Sequence, residues 1–334
     1  GGKPSIGLAQ QVYCEPGDEV IYPSPGFPIY ESFIPYVRAV PVPLQLEESA
    51  NFTFSPEQLA NLITPRTKLI YLNFPSNPTG GVASQQLLEE TAKVILERCH
   101  PNVRVYSDEI YENIIFDGQQ HRSISSVPEM AERTIIAGGF SKTYAWTGGR
   151  VGYAVFPSVK EADVFKTLNI NYFSCVPPYN QEAAREALEN PLSKIAVKEM
   201  VQTFETRRNL IWQKINEIPG ITCQKPGGAF YLFPNISGVC ENLGLIEKHQ
   251  RLSKEQQSSP DNIFQMFALY EHQVAVLDRK SFGQIGADGK YFLRLSIAAD
   301  QAVLEEGVQR LKAASEDLSG LDKFLKERPD LIPA

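Results

Sequence analysis

The sequence predicts an α/β protein. A mostly parallel β-sheet with flanking helices is expected to form a large domain over residues 1–190, followed by a smaller α+β domain over residues 191–334. Three observations carry this expectation. Apolar runs of strand length alternate with segments of helical period through the first half, the pattern of a sheet covered on both faces. The texture changes near residue 190, where a long helical pattern opens a region of mixed elements. A length of 334 residues also exceeds the usual ~100 to 200 of a single domain.

Taken in order, Gly1-Gly2-Lys3-Pro4-Ser5 precedes the first helical pattern and offers backbone N–H groups at a helix N-terminus. Glu19-Val20-Ile21-Tyr22 is the first buried-strand run, and others follow at 39–46, 68–74, 103–107, 134–137 and 151–156. Between them, Ser55-Pro56-Glu57-Gln58 before Leu59 reads as a helix start, and in 84–96 Leu87, Leu88, Val94 and Ile95 fall near one helical face. A long helix is expected over 192–218, stopped by Pro219-Gly220. Strand-like pieces at 221–223, 229–233, 274–277 and 291–297 and a closing helix at 302–313 complete the second domain. The stretch 251–261, rich in Lys, Gln and Ser, reads as a solvated loop.

Composition excludes several classes of function. Thirty-two Lys and Arg against 39 Asp and Glu give a net charge of −7, so bulk charge provides no attraction to nucleic acid or anionic lipid. No run of 18 apolar residues marks a membrane span. Any acidic ligand must therefore be held by a local site. The five cysteines (14, 99, 175, 223, 240) form no CxxC, and the four histidines (100, 121, 249, 272) are scattered, so neither a disulfide framework nor a metal centre is expected. Reduced thiols and the absence of a secretory signal pattern point to the cytoplasm. The chain opens on Gly1 without an initiator Met and is expected to be processed, trimmed or partial.

Chemistry concentrates in four stretches. Lys142 lies in Gly138-Gly139-Phe140-Ser141-Lys142-Thr143-Tyr144, just past the run 134–137, with Arg150 further on. Such a lysine is either a surface residue at a strand exit or a desolvated amine able to form a Schiff base beside a phosphate-clamping guanidinium. Ser107-Asp108-Glu109-Ile110-Tyr111 closes another strand, at the edge where open α/β sheets bind ligands. Its Asp108 either caps a helix or pairs with a protonated ring nitrogen. Asn73-Phe74-Pro75-Ser76-Asn77-Pro78-Thr79-Gly80-Gly81 follows a third strand, as an ordinary turn or as a holder of Asn77 against a ring oxygen. The Gly1-Gly2-Lys3 start offers an anion site but is not a Walker motif.

Together with Gly152-Tyr153 and with Arg294 in Phe292-Leu293-Arg294-Leu295-Ser296, these residues resemble the class I/II aminotransferases, the aspartate-aminotransferase-like enzymes of fold type I that use pyridoxal 5'-phosphate (PLP). The resemblance runs essentially end to end, with the N-terminal segment expected to be lacking. It implies that Lys142 forms the Schiff base and moves the substrate proton, and that Asp108 pairs with the pyridine nitrogen. Tyr111 and Asn77 would serve the phenolic oxygen, and Arg150, Ser141 and the backbone around Gly2 and Lys3 the phosphate. Phe27 would stack on the ring and Arg294 would grip the substrate carboxylate.

The resemblance further implies transfer of an amino group from an L-amino acid to a 2-oxo acid by a ping-pong route, in a homodimer. Lys3 suggests aspartate or glutamate as donor, through a distal carboxylate. Two departures stand out. Gly139 replaces a phosphate-binding serine, and Thr147-Gly148-Gly149-Arg150 carries Gly149 where relatives carry a tryptophan, with Trp146 nearby instead. A PLP-dependent C–S lyase and an aminotransferase-like effector-binding domain of a transcription regulator are the alternatives.

Overall fold

Continuous apolar runs become parallel strands because both faces of such a sheet are buried. The computed structural model describes residues 1–251 and 258–331 and contains six strands in one sheet: β1 (Glu19–Ser24), β2 (Val40–Gln45), β3 (Thr67–Asn73), β4 (Arg104–Asp108), β5 (Thr134–Gly139) and β6 (Gly152–Val155). Their spatial order is β2-β1-β3-β4-β5-β6. The first five are parallel neighbours, and β6 runs antiparallel to β5. Every residue of β1 is buried, whereas β2, at one edge, is mostly half-exposed. Pro41 and Pro43 lie on β2, where a missing N–H costs the ladder least.

Helices α1 (Lys3–Tyr13), α2 (Ile29–Phe33), α3 (Pro56–Leu62), α4 (Gln85–Arg98), α5 (Phe140–Thr143), α6 (Val159–Phe173) and α7 (Pro178–Glu189) accompany the sheet. The start of α3 is a capping box in which Ser55 and Gln58 exchange side-chain and backbone hydrogen bonds, and Ser84 caps α4. One core cluster gathers Ile6 and Leu8 of α1 with Val20, Tyr30, Leu69, Tyr71, Tyr106 and Ile135, tying α1 and α2 to the strands beneath them.

The chain divides into two compact units, residues 1–202 with 227–229 and residues 203–226 with 230–334; the division falls within α8 (Pro191–Asn216). The second unit holds a small antiparallel sheet of β7 (Tyr231–Leu232), β8 (Leu277–Asp278) and β9 (Leu293–Ser296) in the order β7-β9-β8. Its other helices are α9 (Ser237–Asn242), α10 (Leu245–Arg251), α11 (Pro260–Tyr270), α12 (Gln301–Glu316) and α13 (Leu318–Glu327). No described helix is long and apolar enough to cross a membrane.

Several expectations for this unit are corrected. The run 221–223 makes only an isolated bridge, Thr222 to Asn235, because its flanking backbone groups are taken elsewhere: the Ile221 N–H turns back to the Ile218 carbonyl, Asn216 accepts from the Cys223 N–H at 2.8 Å, and Trp212 donates to the Cys223 carbonyl at 2.8 Å. Within 274–277 the Val274 N–H turns back to the Ala268 carbonyl, and only Leu277 enters a strand. The solvated-loop reading of 251–261 fails at both described ends: Arg251 closes α10, and Ser259 caps α11. Asp261 is fully buried, accepting hydrogen bonds from the Arg279 N–H (2.8 Å) and the Phe292 N–H (3.4 Å). Residues 252–257 lie outside the described residues.

The central strand β3 sets the height of everything at its C-terminal end, and Ile70 in its middle is fully buried. Ile70→Ala is expected to lower stability by ~2 to 5 kcal/mol, read as a lowered urea midpoint by circular dichroism.

Candidate active site

Parallel strands end together, and their register brings distant residues to one edge. Asn73 pairs with Asp108 across β3 and β4, Asp108 pairs with Ala137 of β5, and Gly139 pairs with Gly152 of β6. All are at or next to the C-terminal ends of the parallel strands, where such sheets bind ligands. Asn73 then fixes the following loop. Its amide donates to the Asp108 carbonyl at 3.0 Å, and its side-chain oxygen accepts from the Asn77 N–H at 3.0 Å. The Gly80 carbonyl accepts from Gly227 and Gly228, both at 3.0 Å, so residues 227–229 brace the same loop. Asn77 is buried as a result.

Asp108 is the electrostatic centre of this edge. It is 8% exposed, and its carboxylate accepts from the Tyr30 hydroxyl at 2.6 Å and from the Ile110 N–H at 3.4 Å. Burial pushes its pKa up to about 6, against the pull of those two hydrogen bonds and of the Lys142 charge; the Glu109 charge acts with burial. Tyr111, 2% exposed, lies just beyond, with the Lys142 ammonium 6.0 Å from the centre of its ring. Lys142 is half-buried in the single-turn helix α5, which begins directly at the end of β5. The strand ends therefore bring a carboxylate, a phenol and an amine to one edge of the sheet.

A second cluster is built from glycines and Arg150. An added Cβ on Gly1 would meet the Arg150 guanidinium at 2.7 Å, and one on Gly152 would meet the Gly2 nitrogen at 2.3 Å. The Gly1-Gly2 turn thus packs against Arg150 and the start of β6. Gly2 precedes α1 without contributing a side-chain cap, which leaves the first-turn N–H groups to backbone or ligand partners. Arg150 is exposed, has a left-handed φ of 54°, and donates to the Thr147 carbonyl at 2.8 Å. A positive side chain beside a capless helix start is the donor set an anionic phosphate requires. Ser141, half-buried, occupies the same helix as Lys142.

The residues fit PLP on two counts from these contacts. The buried Asp108 carboxylate takes its hydrogen bonds from neutral donors, the Tyr30 hydroxyl and the Ile110 N–H, which suits it to a protonated ring nitrogen. A glycine cradle under a guanidinium suits a phosphate. Phe27 is half-buried, 5.9 Å from the Tyr30 ring in an edge arrangement, and the Lys3 ammonium lies 5.5 Å above it. Arg294 belongs to the second unit, on β9, with its guanidinium 4.5 Å from the Tyr231 ring centre and 4.9 Å from that of Phe282.

Sequence reasoning missed two features here. Tyr30 lies three residues past Phe27, but nothing in the sequence ties it to a carboxylate 78 positions away. His121, read as scattered, lies 2.7 Å from Glu109 Oε2, while Ser107 and Ser123 donate to Glu109 Oε1 at 2.7 and 2.6 Å. With Glu112 it brings three metal-capable side chains together, the Glu109 carboxylate being already engaged by these neighbours.

The two departures also acquire a physical reading. A side chain on Gly139 would meet the Gly152 Cα, the Ile110 side chain and the Val151 carbonyl, each at 3.1 Å. The Trp146 ring covers Gly149 so closely that a Cβ there would lie 2.2 Å from it, so the two positions share one aromatic volume.

Comparison with known proteins matches this arrangement to a family. The sequence profile "Aminotransferase class I and II" matches residues 1–311. The chain is 36% identical over 319 residues to a probable aspartate/prephenate aminotransferase of Aquifex aeolicus, spanning 95% of this chain and 75% of that protein. It is 34% identical over 332 residues to aromatic-amino-acid aminotransferase 2 of Thermococcus litoralis, spanning 97% and 76%. The crystal structure of an aromatic aminotransferase from Pyrococcus horikoshii superposes with a TM-score of 0.83 at 32% identity, over 96% of this chain and 79% of that one.

From the Trp146 contact, Gly149→Ala is expected to destabilise the protein by ~1 to 3 kcal/mol through overpacking. Combining it with Trp146→Ala should cost less than the sum of the two single changes, as measured by thermal unfolding.

Proposed function

The chain belongs to the class I and II aminotransferases, and on that premise we propose that it transfers the amino group of aspartate or glutamate to a 2-oxo acid by a ping-pong mechanism. It is a PLP-dependent transferase acting on amino and oxo acids. When bound, PLP supplies an aldehyde that condenses with amines and a protonated ring that draws electrons from the substrate's α-carbon.

The chain's own residues have the following parts in this reading. The Lys142 amine would hold the cofactor through its aldehyde and would serve as the base that moves the proton at the substrate's α-carbon. Asp108 would pair with the protonated ring nitrogen, and Tyr111 and Asn77 would donate to the ring oxygen. Arg150, Ser141 and the N–H groups near Gly2 and Lys3 hold the phosphate. Phe27 packs on the ring, and the Arg294 fork binds the α-carboxylate. The single observation that carries the reading is the buried Asp108 carboxylate at the same strand edge as Tyr111 and the Lys142 amine.

An acidic donor is favoured by Lys3, whose exposed ammonium sits over the Phe27 ring and adds a positive charge where a distal carboxylate would be recognised. Relatives named for aspartate accord with this, while those named for aromatic amino acids mark the competing donors.

We further propose a homodimer. Helices α6 to α8 expose Tyr172, Phe173, Tyr179, Leu188, Leu192 and Ile195, and an open apolar groove of about 570 Å³ lies along Tyr144, Trp146, Ala187, Val197 and Met200. Apolar surface of this kind is normally covered by a partner. The five cysteines form no disulfide among the described residues, which accords with a cytoplasmic location.

Lys142→Ala is expected to reduce turnover by roughly 10² to 10⁴ or more while PLP still binds noncovalently, as checked by coupled transaminase assay and absorbance titration. Full activity in that variant would refute the assignment. Lys3→Ala is expected to lower kcat/KM for aspartate roughly 10-fold with little change for an uncharged donor, reflecting ~1.4 kcal/mol of lost charge recognition. Equal loss for both donors would remove the case for an acidic substrate.

A further inference from the structure

Three buried tyrosines pack against one another beside Asp108. The Tyr30 ring lies on Tyr71 with centres 4.8 Å apart and planes 21° from parallel, and Tyr71 contacts Tyr106 at 5.1 Å. All three are buried. Their hydroxyls nevertheless do different work. Tyr71 donates to the Ile6 carbonyl at 2.8 Å, and Tyr106 shares a 2.6 Å hydrogen bond with Ser5 Oγ. The Tyr30 hydroxyl is the one of the three that reaches the Asp108 carboxylate, at 2.6 Å.

We propose that Tyr30 is a positioning residue for transamination, its phenol holding the Asp108 carboxylate ionised and in one orientation for the cofactor's ring nitrogen. The proposal rests on the role given to Asp108 above. Three observations support it. Tyr30 is fully buried and fixed along its length: its ring is stacked, its N–H bonds to the Phe27 carbonyl at 3.0 Å, and its carbonyl accepts from Gln10 at 3.2 Å. A donor so constrained restricts where the acceptor oxygen can point. Second, the hydrogen bond is charge-assisted, the stronger kind, and stabilises the carboxylate over the neutral acid. Third, Asp108 needs that help, since burial and Glu109 act together against its charge.

The groups facing Asp108 come from every element around it: Tyr30 from α2, Tyr71 from β3, Tyr106 from β4, Glu109 just past β4, and Lys142 from α5. Burial raises the phenol pKa of all three tyrosines well above the ordinary value, so each stays protonated throughout the working range. Tyr30 therefore remains a donor while Asp108 titrates. Removing its hydroxyl removes stabilisation of the ionised form, which moves the Asp108 pKa upward.

The test compares wild type, Tyr30→Phe, Tyr71→Phe and Asp108→Asn as purified full chains. In the cofactor-free protein the Asp108 carboxylic-acid infrared band, assigned by subtraction of Asp108→Asn, is followed against pH. Tyr30→Phe should shift its titration upward by about one unit or more, and Tyr71→Phe should leave it in place. PLP affinity, measured by fluorescence quenching at pH 7, should fall about two-fold in Tyr30→Phe for a one-unit shift and about 10-fold for a two-unit shift, and the deficit should shrink at alkaline pH as Asp108 ionises in the variant too. A structural defect would instead give a loss independent of pH. Unshifted titration in folded Tyr30→Phe, or a pH-independent deficit, overturns the proposal. If Tyr30→Phe fails to fold, wild type decides: a protonated Asp108 band persisting above about pH 8 contradicts a carboxylate held in its ionised form. Asp108→Asn with normal PLP affinity and turnover would instead defeat the reading of Asp108 itself, a result distinct from failure at Tyr30.

Discussion

A carboxylate taken out of water at the end of a parallel strand is the constraint around which the first unit is organised. Left alone, Asp108 would take up a proton, because a buried charge without compensation is costly. Its neighbours divide between forces for and against ionisation, and the outcome is a group poised near pH 6 rather than fixed on either side. Such poise suits the part proposed for Asp108, pairing with a protonated ring nitrogen. The strand register that sets Asp108 beside Asn73 and Ala137 is what makes the environment possible.

The sheet serves the chemistry by geometry more than by chemistry of its own. Parallel strands deliver their following loops to one edge, so the Asn77 loop, the Tyr111 turn and the Lys142 helix emerge together although they are far apart in the chain. At the next strand pair the requirement becomes close backbone approach. Gly152 permits an approach to the Gly1-Gly2 backbone that any side chain would prevent, and Arg150, in a left-handed conformation, packs its guanidinium against Gly1. The protein thus separates a buried, charge-sensitive wall from an open, cationic cradle.

Much of this was legible in the sequence. Strands β1 and β3 to β5 declare themselves as short apolar runs because both faces are covered, and the polar residues that end those runs mark the ligand edge. Lys142, Asp108 and Asn77 could be singled out because their residue types are out of place there. What escaped depends on contacts between distant segments. Tyr30 reads as one more core aromatic until its hydroxyl is seen on Asp108, and His121 reads as isolated until folding sets it beside Glu109. In the second unit the strands are only two to four residues long, too short for a period, and side chains such as Asn216 and Asp261 satisfy backbone groups that a ladder would otherwise claim.

The proposed chemistry depends on one amine, that of Lys142, carrying the cofactor beside the poised Asp108. Hydride trapping of the PLP-loaded protein, followed by peptide mass mapping, decides whether it does. The account predicts a single reduced pyridoxyl adduct on the peptide containing Lys142, lost when a saturating amino donor is added before the hydride. An adduct confined to another lysine, in protein that still transaminates, would contradict it.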